Sequence, residues 1–240
     1  MSSKSTPVLP FHDSVSAWFS EQFGTPTEVQ AASWPHIAAR EHLLITAPTG
    51  SGKTLTAFTW SLSEFAAGHY NAGRTKVLYI SPLKALNNDI QRNLLTPIAQ
   101  LRDGYGFPEL RVLTRSGDTS QGDRQRMLRN PPDILITTPE SLGLMLTTRR
   151  GRLALSDIDT VILDEIHSIV DNRRGAQLMV NLERLADLAG DFQRAHHRHL
   201  RAGGVAEEDR AAPVVVVDDR AHVVDADHRD AVGAAEPDHR

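Results

Sequence analysis

Residues Leu43–Thr54 read LLITAPTGSGKT, and this stretch decides how the rest of the chain is interpreted. The first five residues, Leu43–Ala47, are apolar or small and predict a short buried strand. Pro48 and Thr49 end that strand, and the segment Gly50–Thr54 leads into a helix. A strand, a glycine-rich loop and a helix in this order form the setting of a phosphate-binding P-loop.

Each residue type in this loop suits the binding of a triphosphate. Glycines let several backbone N–H groups turn inward toward an anion, and the helix N-terminus adds about half a positive charge. Lys53 would reach the β- and γ-phosphates, and the Thr54 hydroxyl would bind Mg²⁺. Ala47 is a departure, because the general pattern has glycine there. The predicted nucleotide-binding residues are Ala47, Gly50, Ser51, Gly52, Lys53 and Thr54; an ordinary glycine-rich turn is the alternative.

Composition limits the classes of protein that need to be considered. The chain has 240 residues, 40% of them hydrophobic, which suits one ordinary domain with a real core. We expect neither a membrane span nor a signal peptide, and the lack of cysteine excludes disulfides and zinc–thiolate sites and suits the cytoplasm. The net charge of −4 lies in residues 195–240, so any nucleic-acid binding must depend on local sites.

Four further apolar stretches predict strands that alternate with helices. Because both faces of each are apolar, they indicate a parallel sheet in an α/β fold. In such sheets ligands bind at the carboxyl ends of the strands, and the motifs of this chain lie at such ends. The predicted strands are Val77–Ile80, Leu110–Leu113, Ile134–Thr137 and Thr160–Leu163.

Two adjacent carboxylates, Asp164 and Glu165, directly follow the last of these strands. Like charges at a partly desolvated strand end are unfavourable, but they are useful opposite a P-loop. Asp164 would hold Mg²⁺, and Glu165 would orient and deprotonate the attacking water. His167 could sense the nucleotide from behind the γ-phosphate. The alternatives are a solvated acidic turn and a histidine that satisfies local hydrogen bonds.

Gln30 has two interpretations that do not exclude each other. It lies three residues after Thr27, as in a helix capping box. Its carboxamide also offers both a donor and an acceptor, which suits recognition of an adenine edge. Its place about twenty residues before the P-loop favours the adenine contact.

Two helix starts of the Ser/Thr-Pro type follow predicted strands and indicate phosphate contacts. They are ordinary caps in the simplest interpretation. Two helix N-termini on one rim would also bind two phosphates of a polymer, with little sequence preference. Arg115 and Gly117, after another strand, could add a further contact. The residues concerned are Ser81, Pro82, Lys84, Thr138 and Pro139.

The order of these motifs resembles that of superfamily 2 helicases. The residue sequence of each motif resembles that of the large helicase-related proteins, which are ATP-dependent DNA translocases of bacteria and archaea. The resemblance covers about residues 10–194. The segments that carry it are Phe23–Gln30, Ala47–Thr54, Ser81–Leu86, Arg115–Thr119, Thr137–Leu142 and Asp164–His167.

The resemblance implies a three-layer RecA-like ATP-binding domain over residues 11–194. Residues 1–10 are polar and contain proline, which predicts a flexible arm before it. It implies ATP and Mg²⁺ as ligands, with Lys53, Asp164, Glu165 and His167 in catalytic roles. It also implies that a single nucleic-acid strand, DNA in preference to RNA, is tracked by the polymer-facing segments. That set comprises Ser81, Pro82, Lys84, Arg115, Gly117, Thr138, Pro139 and Glu140, with Arg174 as a further candidate.

Residues 195–240 depart from the family. The Ser-Ala-Thr motif expected after residue 190 is missing, as is a second RecA-like domain with its arginine finger. The 46 residues use nine residue types, each with codons that begin with G or C, which predicts a frameshifted reading of a G+C-rich gene. A disordered tail or a weak metal tract at His196, His197 and His199 are alternatives, and Val214–Val217 could still pair as a strand. We therefore expect little activity from residues 1–240 alone; a non-functional nucleotide-binding remnant and an RNA helicase fragment remain the alternatives.

Overall fold

The computed structural model describes residues 9–48, 50–71, 73–82, 90–169, 171–201 and 214–218. Helices and parallel strands alternate along most of this length. The helices are α1 (Asp13–Phe23), α2 (Glu28–Ala38), α3 (Lys53–Ala66), α4 (Thr96–Tyr105, preceded by a π-helical turn at Gln91–Leu95), α5 (Gln121–Arg129), α6 (Pro139–Leu146), α7 (Arg149–Leu155) and α8 (Arg173–Arg201). The strands are β1 (Leu43–Thr46), β2 (Val77–Ile80), β3 (Val112–Arg115), β4 (Ile134–Thr137), β5 (Thr160–Asp164) and β6 (Val214–Asp218).

All six strands form one sheet in the order β1-β6-β5-β2-β4-β3, and every described pair is parallel. Since parallel strands share a direction, their carboxyl ends meet at one edge. The loop after β1, the acidic pair at the end of β5 and the described residues that directly follow β2, β3 and β4 therefore lie along the same edge. This edge is where an α/β sheet places its ligands.

Helices cover both faces of the sheet. Val77 and Tyr79 of β2 face a cluster that includes Trp18 of α1 and Phe58 of α3. The alternate residues of β2 face a second cluster, to which α6, α7 and α8 contribute. Side chains on a strand alternate between its two faces, so each strand supplies both layers of core. The prediction of a three-layer α/β domain with a parallel sheet is confirmed.

Two details of the strand predictions are wrong. Strand β3 runs over Val112–Arg115, two residues later than the predicted Leu110–Leu113, because its limits follow its pairing with β4. The strand before the P-loop is not buried throughout, since Leu44 is 49% exposed while Ile45 is buried. Only the face of β1 that carries Leu43 and Ile45 packs in the described core, and Leu44 lies on the opposite face.

Two segments of the unusual C-terminal region adopt regular structure. Helix α8 continues to Arg201, and β6 inserts between β1 and β5. The domain limits at residues 10 and 194 stay predictions, as does the frameshift. Over the described residues, no helix combines the length and the apolar character needed to cross a membrane.

Candidate nucleotide and nucleic-acid site

The loop between β1 and α3 has the backbone conformation that its glycines allow. Gly50 and Gly52 have φ of 85° and 88°, in the left-handed region that disfavours other residues. Gly52 is also the N-cap of α3, and none of the described side chains caps this helix end. Ala47 has no positive φ, so glycine is not required at the position where the sequence departs from the general pattern.

Lys53, the first residue of α3, turns back over the loop. Its Nζ donates hydrogen bonds to the carbonyl oxygens of Ala47 and Pro48, the latter at 3.0 Å. The Ser51 hydroxyl is buried and has no hydrogen-bond partner among the described residues. A buried cation, an unpartnered hydroxyl and an uncapped helix N-terminus therefore lie within one short loop. Such a group of donors suits an anionic ligand.

The P-loop and the acidic segment are in direct contact. The Thr54 hydroxyl lies 3.3 Å from Oδ2 of Asp164. A hydroxyl and a carboxylate at one spot are the hard oxygen donors that Mg²⁺ prefers, and a magnesium ion would share them with phosphate oxygens. The described residues contain no group of three or more histidine or carboxylate ligands, so the fit is to a nucleotide-bound ion and not to a metal cage built by the protein alone.

Three of the described groups donate hydrogen bonds to the Asp164 carboxylate. Besides the Thr54 hydroxyl, Oδ2 accepts a hydrogen bond from the Tyr79 hydroxyl at 2.5 Å, and Oδ1 accepts one from the Glu165 backbone N–H at 2.9 Å. Asp164 is only 5% exposed. Tyr79 was missed by sequence reasoning, because a tyrosine inside an apolar strand has the appearance of an ordinary core residue.

Glu165 lies at the turn after β5 with a φ of 55°, which is uncommon for a residue with a side chain. This turn leaves its side chain partly exposed at the carboxyl edge of the sheet. His167 Nε2 lies 3.3 Å from Glu165 Oε2. The structure thus places Asp164 against the P-loop, with Glu165 next to it at the turn and His167 in contact with the glutamate.

Gln30 forms the capping box and also touches the P-loop. Its Oε1 accepts a hydrogen bond from the Thr27 backbone N–H at 2.9 Å, while the Thr27 hydroxyl donates to the Ser51 carbonyl oxygen at 3.1 Å. A Cβ atom added to Gly52 would lie 2.9 Å from Gln30 Nε2. The start of α2 is therefore packed against the loop. Neither the capping-box nor the adenine interpretation of Gln30 predicted this contact.

Farther along the same edge, an arginine joins three of the segments assigned to a polymer. Arg174 Nε donates to Glu140 Oε1 at 2.6 Å, and its Nη2 donates to the Pro82 carbonyl oxygen at 3.3 Å. Partial burial would raise the pKa of Glu140, but the hydrogen bond and charge of Arg174 hold that pKa below its usual value. Arg174 thus fixes the start of α8 against the ends of β2 and β4.

The two hydroxyls at the predicted helix starts are buried. Thr138 is the N-cap of α6 and accepts a hydrogen bond from the Ser141 backbone N–H at 3.4 Å, which confirms the cap. Ser81 is 1% exposed, and its N–H donates to the Thr137 carbonyl oxygen at 3.1 Å. Lys84 lies outside the described residues.

Arg115, predicted as a further phosphate contact, is a buried residue at the end of β3. It is 8% exposed, and its Nη1 has no hydrogen-bond partner among the described residues. Burial, and then the charge of nearby Arg124, lowers the pKa of Arg115. Arg124, which sequence reasoning missed, donates to the carbonyl oxygens of Ser116 and Gly117 at 3.2 and 2.6 Å. Gly117 and Asp118 are the exposed residues at the tip of this loop.

Comparison with known families agrees with this geometry. The family model described as DEAD/DEAH box helicase matches residues 27–200, which contain every site residue discussed above. The chain belongs to the DEAD/DEAH box helicase family, and the helicase resemblance read from the motifs is confirmed.

Within that family the chain is similar to Lhr helicases. It is 46% identical over 190 residues to ATP-dependent helicase Lhr-Core protein 2 of Thermococcus barophilus, covering 76% of this chain and 22% of the relative. It is 47% identical over 193 residues to the Lhr helicase/uracil glycosylase of Escherichia coli, covering 74% of this chain and 12% of the relative. The chain thus spans about a fifth or less of the length of these relatives.

Solved structures agree on the fold. The Mycobacterium smegmatis helicase Lhr bound to ssDNA and AMP-PNP is similar over 87% of this chain and 25% of its own, with a TM-score of 0.72 and 40% identity. The DEAD-box helicase Mss116 bound to ssRNA and UDP-BeF has a TM-score of 0.63 at 17% identity, and this similarity supports only the fold. The predicted RecA-like class is confirmed by these neighbours.

Proposed function

We propose that this domain binds ATP with Mg²⁺ between the P-loop and the Asp164–Glu165 turn, and that it is the first motor domain of an Lhr-type helicase. The observation that carries the proposal is the contact between the Thr54 hydroxyl and Asp164 Oδ2 at 3.3 Å. It joins two motifs 110 residues apart at one spot on the carboxyl edge of the sheet. The naming of relatives as ATP-dependent helicases agrees with this assignment.

Each predicted residue has a role in this proposal. Lys53 leaves the carbonyl oxygens of Ala47 and Pro48 and binds the β- and γ-phosphates, while the loop N–H groups and the α3 N-terminus bind the remaining oxygens. Thr54 and Asp164 would hold a magnesium ion, which would supply positive charge beside the phosphates. Glu165 orients the attacking water and accepts its proton.

Gln30 and His167 act at the borders of the nucleotide. The Gln30 carboxamide lies beside Gly52, so it approaches a nucleotide from the side of the loop and contacts the adenine. Because Thr27 also contacts the loop, a change in the P-loop conformation on nucleotide binding would move the start of α2. His167 contacts Glu165 and couples the hydrolytic residue to the elements that follow β5.

The nucleic-acid strand follows the rim formed by the ends of β2, β3 and β4. The Arg174 bridge to Glu140 and Pro82 supports this, since it holds three of the implicated segments in one fixed arrangement. Contacts to the phosphate backbone dominate, so we expect little sequence preference. The similar Mycobacterium smegmatis protein was solved with ssDNA, which favours DNA over RNA here as well.

We further propose that the motor domain comprises residues 11–194, that it acts in the cytoplasm, and that a polypeptide of these 240 residues hydrolyses ATP slowly. In the helicases that the sequence resembles, an arginine from a second RecA-like domain completes the site. Such an arginine contributes about 10³–10⁵ in rate in related phosphoryl-transfer systems. The nucleotide sequence after the codon for Arg194 tests the frameshift; a Ser-Ala-Thr-bearing continuation in another frame is expected.

Equilibrium binding of a fluorescent ADP analogue tests the nucleotide site. Lys53→Ala removes a charge-assisted contact and should weaken binding by about tenfold or more. Lys76→Ala is the matched control, because Lys76 is also buried but pairs with Asp157 at 3.0 Å near the opposite edge of the sheet. No saturable binding, or equal losses in the two variants, would favour the non-functional remnant. Competition between ssDNA and ssRNA of equal length distinguishes the DNA from the RNA interpretation.

A further inference from the structure

We infer that Tyr79 is a positioning residue of the nucleotide site, which fixes the Asp164 carboxylate for magnesium. This inference rests on the proposed function. Tyr79 lies on β2, and neither the P-loop nor the acidic turn includes it. Its hydroxyl nevertheless makes the shortest of the described hydrogen bonds to Asp164.

The packing of the Tyr79 ring fixes the position of its hydroxyl. Tyr79 is fully buried, and its ring stacks on Phe58 of α3 with centroids 5.2 Å apart and planes at 25°. Strand β2 pairs with β5, where Tyr79 lies opposite Ile162, two residues before Asp164. The phenol therefore reaches along the neighbouring strand to the carboxylate. Burial and the stack on Phe58 restrict the ring to this geometry.

The contact also connects the two halves of the site. Phe58 belongs to the P-loop helix, about 1.4 turns after Lys53. The path Phe58–Tyr79–Asp164 thus links α3 to the end of β5 through buried groups, in addition to the direct contact with Thr54. A shift of α3 would be transmitted to the carboxylate through the stacked ring.

A carboxylate with this support presents a fixed orientation to a metal ion. Oδ2 accepts from the Tyr79 and Thr54 hydroxyls, and Oδ1 accepts from the Glu165 N–H, so rotation of the carboxylate about its bond to Cβ would break all three. Groups that hold a metal-binding side chain in this way typically change metal affinity by about 10–100-fold when they are removed.

The test uses residues 1–240 and measures the Mg²⁺ concentration that half-saturates binding of a fluorescent ATP analogue. Tyr79→Phe keeps the stacked ring and removes the hydroxyl; we expect this midpoint to rise about tenfold. Binding of the ADP analogue without Mg²⁺, which depends on Lys53, should change by less than about twofold, since no loop contact is lost.

Tyr70→Phe is the matched control. Tyr70 is also buried, and its hydroxyl lies 3.0 Å from Asp159 Oδ1 and 2.9 Å from Thr160 Oγ1, at the start of β5 and away from the site. This variant loses a comparable bond, so its thermal midpoint should fall while its Mg²⁺ midpoint stays at the wild-type value. Equal Mg²⁺ midpoints for the two variants would overturn the inference.

A double-mutant cycle with Asp164→Asn adds an independent readout. If Tyr79 acts through Asp164, then Tyr79→Phe should cause no further loss of Mg²⁺-dependent binding in the Asp164→Asn background. Additive losses would contradict the inference.

A second variant covers the case in which Tyr79→Phe does not fold. Phe58→Leu removes the stacking partner of Tyr79 and should also raise the Mg²⁺ midpoint. If Lys53→Ala binds nucleotide as tightly as the wild type, the proposed function is refuted. If binding depends on Lys53 but Tyr79→Phe has the wild-type Mg²⁺ midpoint, the inference alone is refuted.

Discussion

Replacement of Val215 by aspartate should destabilise the whole domain, because β6 is a central strand although its sequence belongs to the unusual C-terminal region. Val215 is 0% exposed and belongs to the same core cluster as Ile45 and Ile162. It pairs in register with Leu43 of β1 on one side and with Ile162 on the other. Among the described strands, β1 pairs with β6 alone. The strand that leads into the P-loop therefore depends on β6 for its place in the sheet.

The size of the effect follows from burial. Loss of a buried valine side chain costs about 1.5–3 kcal/mol. A carboxyl group at this position has to be protonated to remain buried, which at pH 7 costs about 4 kcal/mol relative to a pKa near 3.9. The sum, roughly 6 kcal/mol, is comparable with the entire stability of many domains, about 5–15 kcal/mol. We expect Val215→Asp to be largely unfolded or to lack the ordered P-loop.

Val180→Asp is the matched control, since Val180 is 60% exposed on α8 and the same substitution there should change stability by less than about 0.5 kcal/mol. Urea unfolding followed by circular dichroism measures stability, and binding of the fluorescent ADP analogue measures the P-loop. A Val215→Asp protein as stable as Val180→Asp, with unchanged nucleotide binding, would show that β6 is not part of the sheet in solution.

Two further predictions concern the loop and the rim. Gly52→Ala should weaken nucleotide binding more than Gly68→Ala: both have positive φ and share a strain of about 1–2 kcal/mol, but a Cβ at Gly52 would also meet Gln30 Nε2 at 2.9 Å, whereas nothing lies within 4 Å at Gly68. Equal binding by the two variants would contradict the contact with Gln30. Glu140→Gln should lower stability by less than about 1 kcal/mol, since the pair with Arg174 is exposed. Because the pKa of Glu140 is lowered in the folded state, this contribution is present above the unfolded pKa of 4.5 and is lost as the pH falls through the folded pKa. The difference in urea midpoint between wild type and Glu140→Gln should therefore shrink from pH 7 to pH 3; a constant difference would refute the role of the ion pair.

Much of the site could be predicted because its signals are local. The pattern of the P-loop depends on glycines at positions of positive φ, and the structure has them at Gly50 and Gly52. The caps at Thr27 and Thr138 need only residues three positions away, and both form as predicted. Strands β2 and β4 were predicted at their observed limits, because each is a short apolar run bounded by polar residues and turns.

The sequence by itself determined the fold class, the phosphate-binding loop and the acidic turn that faces it, because these depend on neighbouring residues and on the rule that parallel strands end at one edge. Tertiary structure alone decided that Tyr79 supports Asp164, that Arg174 ties Glu140 to Pro82, and that β6 holds β1 in the sheet. These contacts join residues 34 to 92 positions apart, or strands at distant parts of the chain. Their physical basis is the packing of whole elements against one another, which no local pattern of residues specifies.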